Sequence, residues 1–122
     1  MQRRNRLSRS RDFDTVYRRG RSAATRYLVL YWFPREDEED VEGSRLGLAV
    51  PRSVGGAVVR NRVKRRLRET WRELADRAQP GFDYVLVARP ALAEPADTRG
   101  HEWLRERVAE VLEKAAQTRA VP

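Results

Sequence analysis

The apolar positions change period several times along the chain, and each change predicts an element. Between Ser10 and Gly20, Phe13, Val16 and Tyr17 recur at i, i+3 and i+4, the spacing of one helical stripe. Ser10 suits an N-cap, Asp12 sits in the first turn, and Gly20 supplies a stop. After Arg26 the pattern becomes continuous, with Tyr27, Leu28, Val29, Leu30, Tyr31, Trp32 and Phe33 in a row. That run predicts a strand over 26–33, ended by Pro34. Residues 45–50 alternate large and small side chains and predict a second strand, stopped by Pro51. Gly55-Gly56 and Pro80-Gly81 bracket a long helix from about Ala57 to Ala78. Residues 82–88 read as a further strand before Pro90. Residues 89–97, with Pro90, Pro95 and several alanines, read as a linker. A last helix, from about Thr98 to Ala116, would carry Trp103, Leu104, Val108, Val111, Leu112 and Ala115 on one face.

The order is helix, two or three strands, helix, strand, helix, or α-β-β-(β)-α-β-α. It predicts an α+β fold, a small single-domain α/β sandwich with helices packed on a sheet. A chain of 122 residues suffices for one domain, and at this size about two-thirds of the unfolded surface is buried without covalent staples. No internal repeat is present. The expected organisation is a flexible basic arm at 1–6, one domain over 7–116, and a flexible tail at 117–122.

In the strand over 28–33, alternation puts Leu28, Leu30 and Trp32 on one face and Val29, Tyr31 and Phe33 on the other. Both faces are apolar, so both call for cover, one from the helices and the other from something else. Phe13 and Tyr17 lie one helical turn apart and could flank that second face. Two readings stand side by side. The aromatics are ordinary core, or they line a groove where unpaired bases stack while arginines track the backbone.

Charge changes the picture. Lys plus Arg is 26 and Asp plus Glu is 18, a formal net charge of +8. Six of the acids lie in 36–42 (Glu36, Asp37, Glu38, Glu39, Asp40 and Glu42), a run that resists packing and reads as a loop. The rest of the chain is far more cationic than its mean, and such a surface attracts polyanions. The long helix concentrates the charge: residues 60–72 hold seven cations against Glu69. On a wheel at about 100° per residue, Val63, Leu67, Trp71, Leu74 and Ala78 form a stripe to be buried. Asn61, Lys64, Arg65, Arg68 and Arg72 share one flank beside it. A merely solvated face would mix signs at i, i+4, but Glu69 and Glu73 fall off this flank. The segregation favours phosphate contacts over simple solvation. Twenty-four of the 26 cations are Arg, the residue suited to bidentate phosphate contacts, although genome composition explains such a bias equally well.

Other chemistries are excluded or left without support. Cysteine is absent, which removes disulfides, thiol nucleophiles, cysteine-ligated zinc and iron–sulfur clusters. A single histidine, His101, rules out histidine-rich metal sites and is expected to be exposed or to cap locally. The acidic run lacks the spacing of a calcium loop, and Gly55-Gly56 lacks a Walker lysine pattern. No apolar run approaches the ~18 residues of a membrane span, so no membrane association is expected. The N-terminus lacks the apolar region of a secretory signal, and its basic character continues too far for a simple transit peptide. A reducing, cytoplasmic setting is expected.

The segment Gly47-Leu48-Ala49-Val50-Pro51-Arg52, continued by Arg60-Asn61-Arg62-Val63-Lys64-Arg65-Arg66-Leu67-Arg68-Glu69, resembles the protein subunit of bacterial ribonuclease P. That family carries a glycine-containing loop followed by Arg-Asn-Arg and a basic helix. The resemblance extends to Leu7, Asp12-Phe13, Gly20, the aromatic strand, and Asp83-Tyr84-Val85 through Arg89, so it covers residues 7 to about 115. Two positions depart from the family pattern: Ser53 stands where a second cation is common, and Gly56 where an Asn is common.

The resemblance implies a ribosomal-protein-S5-like fold with an unusual left-handed crossover. It implies a ribonucleoprotein that removes the 5′ leader from precursor tRNA, in which the catalytic RNA subunit performs hydrolysis with Mg²⁺. The partners implied are that RNA and precursor tRNA, with no obligate protein partner evident and no active site in the protein itself. By match, Arg60, Asn61, Arg62, Lys64, Arg65 and Arg68 would contact the RNA subunit, with Arg72 continuing their helix. Phe13, Tyr17, Tyr31 and Arg52 would hold the single-stranded leader. Two rivals remain: a ribosomal or RNA-chaperone protein without a catalytic partner, and a DNA-binding regulator. The latter would need a dimer seam, and no apolar face is left for one.

Overall fold

The structure is a computed structural model, describing residues 20–34 and 45–120. The predicted first helix with Phe13 and Tyr17, the arm at 1–6 and the acidic loop at 36–42 lie outside the described residues. Among those described, the strands are β1 (Arg21–Ala24), β2 (Leu28–Pro34), β3 (Arg45–Ala49) and β4 (Phe82–Ala88). The helices are α1 (Ala57–Leu74), α2 (Ala93–Thr98) and α3 (Gly100–Ala120), with short 3-10 turns at Arg52–Val54, Ala75–Arg77 and Pro90–Leu92. The mixed α+β layer is as expected, and the strand left without a position is β1.

The sheet runs β1-β2-β4-β3. β1 and β4 each pair antiparallel with β2, whereas β3 and β4 are parallel neighbours. α1 is therefore the crossover of a β3–α1–β4 unit. Register places Leu28 opposite Ala88, Leu30 opposite Leu86 and Trp32 opposite Tyr84. These six side chains and Leu46 form one face of the sheet and are buried against the helices. From α1, Val63, Leu67, Trp71 and Leu74 join them, and Ala78 follows just past the helix. From α3, Leu104, Val108, Val111, Leu112 and Ala115 do the same. Both predicted stripes are the buried ones. Trp71 and Tyr84 meet at the centre, their rings 5.4 Å apart.

Two expectations are corrected. The segment 89–97 is not an irregular linker but a 3-10 turn followed by α2. Pro90 opens the turn, and Pro95 falls in the first turn of α2, where a missing N–H costs nothing. Buried Leu92 and Ala96 anchor the segment to the core. The last helix begins at Gly100 rather than Thr98, because Gly100 has φ 85°, a conformation that terminates α2 as a glycine readily can. At its other end α3 reaches Ala120, so residues 117–120 extend the helix beyond its expected end.

Candidate nucleic-acid interface

The N-terminal boundary of α1 is set by two glycines that differ in kind. An ideal Cβ on Gly55 would stand 2.9 Å from Val59 Cγ1, whereas one on Gly56 meets nothing within 4 Å. The backbone thus passes closely over the first turn before Gly56 caps the helix without a side-chain hydrogen bond. No acid occupies that first turn, so the positive end of the helix dipole stays unneutralised there. Val58, in the same turn, is 75% exposed.

Down the helix, Asn61, Arg65 and Arg72 are exposed, and Arg60, Lys64 and Arg68 are half-buried along the edge of the core stripe. Among the described residues, no ion pair engages Arg60, Lys64, Arg65 or Arg72. The Arg60 Nε is buried without a hydrogen-bond partner among the described residues. Asn61, Lys64, Arg65, Arg68 and Arg72 make up the flank expected from the wheel, whereas Arg60 falls on the side of the core stripe.

Arg62 does not belong to that group. It faces the opposite side of α1, where its Nη1 is 3.4 Å from Asp97 Oδ1. Arg66, one turn on, donates to the same oxygen at 3.0 Å and also to the Ala96 carbonyl. Both acceptors come from α2. Sequence reasoning assigned Asp97 no role, since a partner 31 or 35 residues away leaves no local signal. His101 is exposed and joins the same side of the molecule, its Nε2 being 2.5 Å from Glu73 Oε2. That contact ties the start of α3 to α1.

The second sheet face is separate from the helix-covered core. Val85 is fully buried there, with Tyr31, Phe33, Ala49 and Val87 half-buried around it. Tyr31 is thus on the opposite side of the sheet from α1. At the polar end of this face, Arg45 Nε and Nη2 donate to the two Asp83 oxygens at 2.8 and 2.7 Å. Arg52 is exposed in the 3-10 turn just beyond β3. Phe13 and Tyr17, the other two expected members of a groove, lie outside the described residues.

A family model described as Ribonuclease P matches residues 1–116. The chain belongs to the ribonuclease P protein family. It is 34% identical over 119 residues to the ribonuclease P protein component of Bacillus cereus (strain AH187), covering 98% of this chain and 97% of that protein. Against the component of Shouchella clausii (strain KSM-K16) it is 37% identical over 115 residues, covering 94% and 88%. Among solved structures, the RNase P protein of Thermotoga maritima matches with a TM-score of 0.77 and 32% identity, covering 88% of this chain and 94% of that one. The Staphylococcus aureus protein matches with a TM-score of 0.74 and 30% identity, covering 91% and 94%. A ribonuclease P protein is a component of an endoribonuclease complex, and tRNA 5′ processing with an RNA subunit is the role this membership supports. The ribosomal or RNA-chaperone alternative is not favoured.

Among the described residues, no three of His, Asp and Glu stand close enough to hold a metal ion. Nor is any described helix long and apolar enough to cross a membrane.

Proposed function

We propose that this ribonuclease P protein docks on the catalytic RNA through Arg60, Asn61, Lys64, Arg65, Arg68 and Arg72. On this reading it holds the single-stranded 5′ leader of precursor tRNA on the other side of the sheet. The observation that carries the reading is the segregation of α1: an apolar stripe buried to the last residue, beside a cationic flank in which Arg60, Lys64, Arg65 and Arg72 meet no counter-charge among the described residues. Arginine and lysine side chains held along one helix edge meet successive phosphates at little ordering cost.

The leader surface would comprise Tyr31 and Arg52 together with Phe13 and Tyr17. Its support is the second apolar face around Val85, with the half-buried Tyr31 among its members. The RNA performs the hydrolysis with Mg²⁺ that it holds itself, and the protein contributes affinity and placement, without an active site of its own. The working unit is a single domain over 7–116, acting in the cytoplasm without an obligate protein partner.

The test is Arg65→Ala, an exposed position whose loss leaves the core untouched. Binding to a bacterial ribonuclease P RNA should weaken, and the slope of log K against log salt should flatten by about 0.7–0.9, one phosphate contact. An unchanged slope with unchanged affinity would make this flank a solvated face.

A further inference from the structure

Asp97 is an anion that bridges two arginines, Arg62 and Arg66, on the opposite flank of α1. Its grip on the two is unequal. Arg66 has a second acceptor in the Ala96 carbonyl and a 3.0 Å contact to Asp97, so it stays tied to α2. Among the described residues Arg62 has only the Asp97 carboxylate, at 3.4 and 3.5 Å from its two oxygens. The Arg62 side chain is 41% exposed and that of Asp97 34%. An ion pair this long and this open is worth roughly 0.2–1 kcal/mol, well within what a phosphate can displace.

We propose that Asp97 is a specificity-determining residue, an internal anion that occupies Arg62 until an RNA of matching shape displaces it. The inference rests on α1 being the RNA-docking element. An RNA seated in register along the Lys64–Arg65–Arg68 flank and continuing around the solvent side of α1 brings a phosphate close enough to take Arg62 from Asp97. An arbitrary RNA, held by fewer contacts, leaves the pair closed and loses one cation. Asp97 therefore weakens unspecific binding more than specific binding. A chain with a formal net charge of +8 has reason to carry such a device, since cationic surfaces bind polyanions indiscriminately.

The experiment compares the intact chain with Asp97→Asn on two RNAs, a bacterial ribonuclease P RNA and an unrelated RNA duplex, across a salt series. On the duplex, Asp97→Asn should bind about 1.4- to fivefold more tightly, the ion-pair energy converted at about 1.4 kcal/mol per tenfold. Its salt slope there should steepen by about 0.7–0.9, the released Arg62. On the ribonuclease P RNA the slope should not change, because Arg62 is already engaged. Adding Arg62→Gln to Asp97→Asn should erase the gain on the duplex, and Asp97→Glu should behave as the parent. Equal slopes on the duplex for parent and Asp97→Asn would overturn the proposal, as would weaker binding of Asp97→Asn to both RNAs, which would make Asp97 a support for Arg62. If the parent itself fails to prefer the ribonuclease P RNA, the docking reading falls instead.

Discussion

Tyr84 is the residue where the core and the end of α1 are joined. Its ring lies against Trp71, and its hydroxyl accepts the Gln79 N–H at 2.9 Å, fixing the turn between α1 and β4. Removing the hydroxyl in Tyr84→Phe should cost about 1 kcal/mol, because the Gln79 amide can turn to water. Removing the ring of Trp71 in Trp71→Ala should cost about 3–5 kcal/mol, transfer and cavity together. Denaturant midpoints of the two variants check this, and similar losses would contradict the central placement of Trp71. At this scale the sequence was half legible. Tyr84 was recognisable within Asp83-Tyr84-Val85, but the partners of Asp83 and of Arg62 were not. Arg45 reaches Asp83 across 38 residues, and Asp97 reaches Arg62 across 35. Only the register of β3 on β4 and the docking of α2 bring those charges together.

Among the elements, α1 was readable because a helix stripe and a cationic flank follow from one period. Val63, Leu67, Trp71 and Leu74 could have been assigned to the core without any tertiary information. β1 was not placed, since its burial pattern has a single buried residue, Ala23, and an edge strand with so little core carries no alternation to read. α2 was missed because prolines signal loops unless their position within a turn is known. The start of α1 is the element boundary most open to test. Gly55→Ala would drive a Cβ into Val59, a side chain packed on the core, and should cost about 1–3 kcal/mol by overpacking. Gly56→Ala enters open space and should cost less than about 1 kcal/mol, the weaker helix cap. Thermal melts should rank them in that order, and the reverse order would contradict the close passage over the first turn.

Over the whole molecule, the mean charge concealed the organisation that matters. The sheet separates two candidate RNA surfaces, with α1 on one side and Tyr31 on the other. On the proposed reading, a folded RNA and a single strand are held at once, without competing for the same arginines. The α+β class and the basic helix were legible in the sequence. The strand order was not, because the parallel pairing of β3 with β4 is a non-local choice that neither strand's pattern specifies. The measurement that tests this arrangement most directly is cleavage of precursor tRNA by a bacterial ribonuclease P RNA at low Mg²⁺, with and without the chain, on substrates carrying or lacking a 5′ extension long enough to cross the sheet. The account predicts that the chain stimulates cleavage, and does so more strongly for the substrate with the long leader. Equal stimulation of both substrates would contradict a leader surface on the second face, and no stimulation of either would contradict the docking of α1 on the RNA.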